Sequence, residues 1–212
     1  MKIVMTPNPY RDKQFRVAEQ AKNILEQEGV TVRMCLPFEV DRNYELPQHL
    51  HFSDLRKELR DAQMLICFGG DGTILHASKF ATAHRIPVLG VNIGTMGFIA
   101  ELESCELELL RKIPKGAYTL EPRSMLDVRV TNGTQTLYRE TALNDVVITK
   151  GAIARVIQIG VSCDGVDATA FSGDGILVCT ATGSTAYSMS AGGPIMEPSA
   201  KNMLITPICA HA

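Results

Sequence analysis

Four short segments of the sequence carry residue types that can bind a nucleotide or move a proton. The first is Gly-Gly-Asp-Gly-Thr at residues 69–73, directly after the apolar run at residues 64–68. Its glycines allow positive φ angles and let the backbone approach a ligand closely. Backbone N–H groups in such a turn, with a helix N-terminus behind them, suit a phosphate group. The candidate phosphate-binding residues are therefore Gly69, Gly70, Gly72 and Thr73.

Asp71 is the candidate catalytic residue of this segment. Its carboxylate can accept a proton from an attacking hydroxyl, or it can hold magnesium directly or through water. A tight turn in which Asp71 caps the following helix explains the same residues without any chemistry. His76 lies one helical turn further on, and its chemistry alone fits a surface position or a core position.

Two more segments place polar or aromatic residues beside an apolar run. Residues 90–98 lead into a glycine-rich turn that ends at Phe98, whose ring can stack on a base or pack in a core. Asn144 and Asp145 precede the apolar run at residues 146–148. An amide can read an adenine edge, and a carboxylate can accept hydrogen bonds from ribose hydroxyls. A strand-entry turn is the alternative explanation for this pair.

The fourth segment, residues 173–194, is the most informative. It reads as a β-strand followed by small hydroxylated residues and then by glycines. Small hydroxylated side chains let a polar ligand lie close to the backbone, and Tyr187 adds a stacking face with a polar tip. The alternative is a helix of small residues that packs against another subunit.

Other nucleotide-binding patterns are missing from the sequence. It contains no Gly-x-x-x-x-Gly-Lys-Ser/Thr, and its first strand carries no Gly-x-Gly-x-x-Gly. The first absence excludes a P-loop, and the second weakens the case for hydride transfer with a dinucleotide.

The composition is that of a globular protein. Of 212 residues, 45% are hydrophobic and 21% are charged, and the net charge is −2. This near-neutral balance predicts no binding to nucleic acid or to an anionic membrane. No apolar run reaches the length of a membrane span, and the apolar stretch at residues 3–5 is too short for us to expect a signal peptide. The six cysteines form no Cys-x-x-Cys pair, so we expect free, mostly buried thiols in the reducing cytoplasm.

The first half of the chain alternates strand and helix signals. Strands are predicted at residues 3–5, 30–36, 64–68 and 86–91. Helices are predicted at residues 11–28, from Ser53 through Leu59, through Leu75 and Phe80, and from Ser104 to Ile113. This alternation predicts a parallel sheet with helices on its faces, and ligands of such sheets bind at the carboxyl ends of the strands.

The second half reads as mostly β. Strands are predicted at residues 125–130, 146–148, 156–161 and 176–179, with hairpin turns at Asn132-Gly133 and Asp164-Gly165. We therefore predict a Rossmann-like α/β domain at residues 1–115 and a β-rich domain at residues 116–212.

The four segments, in this order, resemble the signatures of the NAD kinase family. Residues 69–73 match its Gly-Gly-Asp-Gly-Thr, and residues 144–145 match its Asn-Asp/Glu. Residues 182–190 resemble its Thr-Gly-Ser-Thr-Ala-Tyr-x-x-Ser, and residues 94–98 its Gly-x-x-Gly-Phe loop. Lipid kinases and phosphofructokinases share part of the first signature, but the ordered set of four is specific.

The resemblance implies transfer of the γ-phosphate of ATP, or of polyphosphate in some members, to the adenosine-ribose 2′-hydroxyl of NAD. The product is NADP, and a divalent cation such as Mg²⁺ is required. By resemblance, Asp71 is the general base towards that hydroxyl. The backbone of residues 69–73 and the Mg²⁺ neutralise charge on the phosphates. No residue is assigned as a metal ligand, because the substrate phosphates are expected to hold most of the coordination.

The resemblance also assigns the NAD-binding residues. Asn144 reads the adenine, Asp145 binds the ribose hydroxyls, and His76 faces the phosphates. The base pockets are lined by Phe98, Thr182 and Tyr187. The nicotinamide riboside half contacts Asp174, Thr185, Ala186 and Ser190. Sites of this family form between subunits, which implies a homodimer or homotetramer.

The sequence departs from the family pattern at three places. Ala181 replaces a proline, Ser172 stands where a basic residue is common, and residues 210–212 read Ala-His-Ala instead of Pro-His-Ser/Thr. The family continues beyond this point, so we expect the β-rich domain to lack strands that its relatives have. The alternative functions are a lipid or sugar kinase, an NAD-binding module without catalysis, and a slow ATPase.

Overall fold

The computed structural model describes residues 1–94, 97–151 and 155–211. The chain divides into an N-terminal unit, Met1–Leu120, and a C-terminal unit, Glu121–Ala212. The boundary expected from the sequence, after residue 115, falls shortly before this division. Within the described ranges, no helix has both the length and the apolar character needed to cross a membrane.

In its described residues, the N-terminal unit has six strands and three α-helices. The strands are β1 (Lys2–Pro7), β2 (Thr31–Cys35), β3 (Phe52–Ser53), β4 (Met64–Gly69), β5 (Val88–Asn92) and β6 (Leu102–Glu103). The α-helices are α1 (Arg16–Gln27), α2 (Leu55–Glu58) and α3 (Asp71–His84). Short 3-10 helices cover Lys13–Phe15, Leu59–Asp61 and Leu107–Lys112.

The sheet of this unit has the strand order β3-β2-β1-β4-β5-β6, and all neighbouring strands are parallel. The predicted Rossmann-like α/β fold is therefore confirmed. From β1 the chain moves outward to β2 and β3, and it then returns to the other side of β1 as β4. The strand order thus reverses between β1 and β4, and ligands of such sheets bind outside the carboxyl ends at this reversal.

Helices cover both faces of the sheet, and β4 contributes side chains to both cores. Ile66 and Phe68 belong to the core that also contains Leu25 of α1. Leu65 and Cys67 belong to the opposite core, together with Ile74 of α3. All six residues of β4 are buried, which explains why its sequence is continuously apolar rather than alternating. The strand is therefore a rigid base for the segment that follows it.

Helix α1 begins at Arg16, five residues later than the apolar spacing predicted. Asp12 explains the late start, because its buried carboxylate accepts hydrogen bonds from the backbone N–H groups of Val17 (3.0 Å) and Ala18 (2.9 Å). Gln14 and Phe15 have positive φ angles of 56° and 59°, and this bend in the chain brings Asp12 to the N-terminus of the helix. The residues before Arg16 therefore cap the helix instead of extending it.

Two other predicted caps were wrong. Ser53 lies in β3, and the cap of α2 is Asp54, whose carboxylate accepts from the N–H of Lys57 at 2.8 Å. Ser104 lies before the 3-10 helix Leu107–Lys112, whose N-cap is Glu106. The expectation of mostly buried cysteines was also wrong: Cys35, Cys67 and Cys179 are buried free thiols, whereas Cys105, Cys163 and Cys209 are exposed.

Seven strands make up most of the part of the C-terminal unit that the structure describes. They are β7 (Leu126–Asn132), β8 (Gln135–Ala142), β9 (Asp145–Thr149), β10 (Ile157–Cys163), β11 (Val166–Gly173), β12 (Gly175–Cys179) and β13 (Leu204–Ile208). A 3-10 helix, Thr182–Thr185, and a short helix α4, Tyr187–Ser190, lie between β12 and β13. All strand pairs are antiparallel, as β13-β12-β9, β7-β8 and β10-β11. The predicted β-rich second half is confirmed.

Both predicted hairpins are present in this unit. Asp164 and Gly165 join β10 to β11 with positive φ angles of 51° and 79°, as a tight hairpin turn requires. The other turn is shifted by one residue, because Asn132 pairs with Gln135 and leaves Gly133 and Thr134 in the turn. Strand β13 was not predicted because Pro207 interrupts its sequence. It lies at the sheet edge, where a strand tolerates a residue without an N–H.

Candidate active site

The first candidate segment forms the turn between β4 and α3. Gly69 is buried, and a Cβ atom there would lie 2.8 Å from the Cβ of Thr73, so a larger residue would displace that side chain. Gly70 is the N-cap residue of α3 and has no side chain to cap the helix. The first N–H groups of a helix have no acceptor within it. Those of Asp71 and Gly72 are therefore available to an anion at the carboxyl end of β4.

Asp71 joins this turn to the second candidate segment. Its Oδ2 accepts the backbone N–H of Phe98 at 3.0 Å, and its Oδ1 accepts that of Ile99 at 3.1 Å. The sequence alternative, a cap on its own helix, is replaced by a bridge between two loops. Each carboxylate oxygen has a second lone pair, so Asp71 is held in one orientation and can still accept another hydrogen bond.

Phe98 sits beside this carboxylate with its side chain exposed to 58%. Its ring is therefore not a core residue, which was the alternative open from the sequence. Asn92, at the end of β5, supports the same loop by accepting the N–H of Gly94 at 3.0 Å. Thr95 and Met96 of the Gly-x-x-Gly-Phe segment lie outside the described residues.

Asn8 is a site residue that the sequence analysis missed. It follows β1, and its amide Nδ2 donates to the hydroxyl of Thr73 at 2.8 Å. Its backbone N–H donates to the carbonyl of Phe68 at 2.8 Å. Asn8 and Thr73 are 65 positions apart in the sequence, and only the parallel pairing of β1 with β4 brings them together. The strand order, rather than any local motif, was the signal that could have found Asn8.

His76 lies on the exposed side of α3, between two aromatic rings. Its ring centroid is 5.9 Å from that of Phe38 and 5.5 Å from that of Phe80. Phe38 in turn stacks on Tyr10 at 6.1 Å. The surface position open from the sequence is therefore the observed one, and the aromatic neighbours fix the ring of His76 near the start of α3.

In the C-terminal unit, the pairing of β9 with β12 brings the third and fourth candidate segments together. Asp145 pairs with Cys179, and the backbone N–H of Thr180 donates to the carbonyl of Asn144 at 2.9 Å. The hydroxyl of Thr180 donates to the carbonyl of Leu143 at 2.6 Å and accepts the N–H of Gly183 at 3.1 Å. This network fixes the turn after β12 against Asn144.

Gly183 is required by the close packing of this turn. A Cβ atom at position 183 would lie 2.8 Å from the Cα of Asn144, a distance that real Cβ contacts do not reach. The contacting atoms belong to the backbone, so no side-chain rotation relieves the clash. The glycine of the Thr-Gly-Ser-Thr segment therefore sets the position of the Asn144 backbone.

Two polar atoms of this turn are shielded from solvent without a partner. They are Asn144 Oδ1 and Thr182 Oγ1, and neither has a hydrogen-bond partner among the described residues. Native proteins satisfy nearly all buried polar groups, so each exception calls for an explanation. A bound ligand that supplies hydrogen-bond donors would satisfy both atoms.

Burial raises the pKa of the Asp145 carboxyl above its ordinary value. Desolvation penalises the ionised form, and the described structure gives no cation that offsets it. The folded protein therefore pays a cost for an ionised Asp145 in the absence of ligand. Donors such as ribose hydroxyls would offset that cost.

Asp174 pairs with Lys150, a residue that the sequence analysis did not select. The ammonium of Lys150 lies 2.7 Å from the carboxylate of Asp174, and both side chains are about one third exposed. The pairing of Thr149 with Gly175 brings these neighbours face to face. The register of β9 on β12 was the signal that could have found Lys150.

The hydroxylated residues of the fourth segment divide into two groups. Ser184 and Ser188 are buried and structural: Ser184 donates to the carbonyl of Ala181 at 2.7 Å, and the hydroxyls of Ser188 and Thr206 lie 2.9 Å apart. Of the residues assigned by resemblance, Thr182 is buried as well, and the others are more accessible. Thr185 and Ala186 are half-buried, and Tyr187 and Ser190 are exposed.

The described residues contain no group of three or more His, Cys, Asp or Glu side chains that could hold a metal ion together. Asp71 is one carboxylate beside a run of helix N–H groups, which suits an anion rather than a closed cation site. A magnesium ion at this turn would need most of its oxygen ligands from a bound phosphate or from water.

Comparison with known proteins agrees with this geometry. Residues 3–118 match the ATP-NAD kinase N-terminal domain, and residues 143–212 match the ATP-NAD kinase C-terminal domain. The chain belongs to the NAD kinase family. An NAD kinase of Carboxydothermus hydrogenoformans is 42% identical over 163 residues, which cover 76% of this chain and 58% of that protein. The chain spans between 55% and 63% of the length of the first four curated relatives it matches.

Solved structures of the family share the fold. The yeast NADH kinase complexed with NADH gives a TM-score of 0.84 at 24% identity, over all of this chain and 67% of that one. An NAD kinase from Archaeoglobus fulgidus in complex with ATP gives a TM-score of 0.70 at 24% identity, over all of this chain and 74% of that one. At this identity the likeness establishes the fold.

Proposed function

We propose that this chain transfers the γ-phosphate of ATP to the adenosine-ribose 2′-hydroxyl of NAD and so produces NADP. The observation that carries the proposal is the pair of buried acceptors without partners, Asn144 Oδ1 and Thr182 Oγ1. The amino group of an adenine is a donor of the kind that Asn144 Oδ1 needs. The proposal therefore assigns Asn144 to the adenine and Thr182 to the wall of its pocket.

The phosphoryl-transfer groups of the proposal lie at the turn after β4. Asp71 is assigned as the general base, because the two N–H groups that hold it leave lone pairs free to accept the proton of a hydroxyl. Phosphoryl transfer depends mainly on positioning and on neutralising charge. The backbone of residues 69–73 is assigned to the phosphates, with Mg²⁺ carried mainly by phosphate oxygens, and His76 faces them from α3. Polyphosphate is the alternative donor.

The remaining assignments concern the NAD molecule. Asp145 accepts hydrogen bonds from the ribose hydroxyls, which would offset the burial of its carboxylate. Phe98 and Tyr187 present exposed rings that can stack on bases. The nicotinamide riboside half is assigned to Asp174, Thr185, Ala186 and Ser190. The family's solved relatives in complex with NADH and with ATP support a nicotinamide dinucleotide and ATP as the two substrates.

Two further features belong to the proposal. We assign the chain to a homodimer or homotetramer, which is supported by large apolar residues left exposed on the C-terminal unit, such as Val166 at 70% and Ile195 at 66% exposure. Sedimentation velocity measures that assembly. We assign it to the reducing cytoplasm, which the buried free thiols of Cys35, Cys67 and Cys179 support.

The experiment measures NADP formation from NAD, ATP and magnesium, alongside NAD binding by calorimetry. The variants are Thr182→Val, which removes only the hydroxyl, and Thr169→Val, the same change on an exposed strand position. We expect Thr182→Val to weaken NAD binding about ten-fold and Thr169→Val to leave it unchanged.

Each other outcome has a distinct meaning. NAD binding without NADP formation would replace the proposal by a catalytically silent NAD-binding module. ATP loss independent of NAD would replace it by an ATPase, and turnover of a lipid or sugar above that of NAD would replace it by another kinase. A full-length NAD kinase relative serves as the positive control of the assay.

A further inference from the structure

The hydrogen bonds around Asn8 fix which way its side-chain amide points. Its Oδ1 accepts the backbone N–H of Tyr10 at 3.0 Å, and a backbone N–H can only donate. The oxygen must therefore face Tyr10, and the amide nitrogen must face Thr73. Since an amide nitrogen can only donate, the 2.8 Å contact between Nδ2 and Thr73 Oγ1 makes the threonine hydroxyl the acceptor.

The proton of the Thr73 hydroxyl is left to be donated elsewhere. Thr73 is only 4% exposed, and the described residues provide no acceptor for this proton. The side chain belongs to the third residue of α3, next to the free N–H groups of Asp71 and Gly72. A buried hydroxyl with an unused donor thus lies at the same end of the helix that suits an anion.

The contact between Asn8 and Thr73 joins the segments that follow two central strands of the sheet. Asn8 follows β1 and Thr73 follows β4, so the hydrogen bond spans the point at which the strand order reverses. The backbone N–H of Asn8 also donates to the carbonyl of Phe68. Both ends of the Asn8 contact are therefore anchored to central strands of the sheet.

We propose that Asn8 is a positioning residue for the Thr73 hydroxyl. The amide of Asn8 donates to the hydroxyl oxygen, and the hydroxyl proton of Thr73 is thereby directed to a phosphate oxygen of the phosphoryl donor. The inference rests on the proposed function for the identity of that ligand. Without Asn8, the Thr73 hydroxyl is free to rotate, and its proton is no longer directed at the phosphate. Asn8 acts on the donor phosphates alone and does not contact NAD.

The variant that tests this inference is Asn8→Asp. A carboxylate of the same shape keeps an acceptor for the N–H of Tyr10, so the loop retains its geometry. The second oxygen, however, accepts from Thr73 instead of donating to it, and it draws the hydroxyl proton away from the phosphate. The matched variants are Thr73→Val, which removes the hydroxyl, and Thr73→Ser, which keeps it.

The readout is calorimetric binding of magnesium tripolyphosphate, which needs neither NAD nor turnover. We expect Asn8→Asp to weaken this binding about ten-fold or more in the wild-type and Thr73→Ser backgrounds. In the Thr73→Val background, Asn8→Asp has a smaller effect, limited to the repulsion between its charge and the polyphosphate, because the hydroxyl through which it acts is gone. Where turnover is measurable, the KM for NAD stays unchanged.

Three results would overturn the inference. They are wild-type binding by Asn8→Asp, an undiminished Asn8→Asp effect in the Thr73→Val background, and no detectable tripolyphosphate binding by the unmodified chain. Circular dichroism and thermal unfolding identify variants that fail to fold, and Asn8→Ala then replaces Asn8→Asp. If binding depends on Asn8 while no NADP is formed, the inference stands and the proposed function falls.

Discussion

The double hydrogen bond to Asp71 leads to the sharpest prediction, which concerns Asp71→Asn. The amide keeps the size of the side chain but has only one oxygen. One of the N–H groups of Phe98 and Ile99, which lie 3.0 Å and 3.1 Å from the carboxylate oxygens, must then face an NH₂ group. Asp71→Asn therefore removes the proposed base and also loosens the loop that the carboxylate holds.

The two effects have different sizes. Loss of a hydrogen bond to a charged acceptor costs roughly 1.5–3 kcal/mol. At about 1.4 kcal/mol for each factor of ten, whichever of the Phe98 and Ile99 amides loses its acceptor should exchange with solvent roughly 10–150 times faster. Loss of a general base lowers the rate of the chemical step by about 10²–10⁴-fold. A fall in NADP formation well beyond the change in exchange therefore measures the chemical role.

The assay combines hydrogen exchange at Phe98 and Ile99 with initial rates of NADP formation. Asp167→Asn is the matched control, because it removes the same charge from an exposed position on β11. Unchanged exchange at both amides in Asp71→Asn would refute the bridge between the two loops. Full NADP formation by Asp71→Asn would refute the assignment of Asp71 as the base.

Three further variants test the C-terminal unit. Gly183→Ala should lower the free energy of unfolding by about 1–3 kcal/mol and weaken NAD binding, because its Cβ displaces the backbone of Asn144. An unchanged melting temperature and an unchanged NAD affinity would contradict this packing. Asp145→Asn should melt higher than the wild type at neutral pH without ligand, since it removes a carboxylate whose pKa burial raises. Burial destabilises the folded wild type above that raised pKa, where Asp145 is ionised. The stability advantage of Asp145→Asn should therefore shrink as the pH falls towards 3.8. A stability difference that stays constant with pH would show that burial of the charge is not its cause. Ser188→Ala should lower the free energy of unfolding, measured in urea, by about 1–3 kcal/mol, because it leaves the buried hydroxyl of Thr206 without its partner. Adding Thr206→Val should recover part of that loss. Additive losses in the double variant would show that the two hydroxyls do not interact.

Local patterns predicted the parts of the fold that local patterns determine. The buried run of β4 followed by glycines gave the strand, the turn and the start of α3. Asp164 and Gly165 gave a hairpin because few other residues adopt positive φ angles at two successive positions. The four candidate segments were selected in the same way, since each joins an apolar strand to a polar turn.

Contacts between distant parts of the chain were not predicted. Asn8 meets Thr73 only because β1 and β4 are neighbours, and Lys150 meets Asp174 only because of the register of β9 on β12. Helix α1 began late because a side chain outside the helix, Asp12, caps it. The contacts of Asn8 and Lys150 depend on strand order and register, which a single sequence does not display.

The burial of Cys67 makes the centre of the sheet observable by simple thiol chemistry. Burial raises the pKa of this thiol to about 12, so at pH 8 it is neither ionised nor accessible to an alkylating reagent. The exposed cysteines at positions 105, 163 and 209 should react at once, whereas Cys67 reacts only when β4 separates from its neighbours. Cys67 lies two residues before Gly69, in the strand that leads into the phosphate turn. The rate of its alkylation, measured by peptide mass spectrometry, therefore reports how often this strand opens. A slower rate with bound phosphate would measure how far the phosphate suppresses that opening.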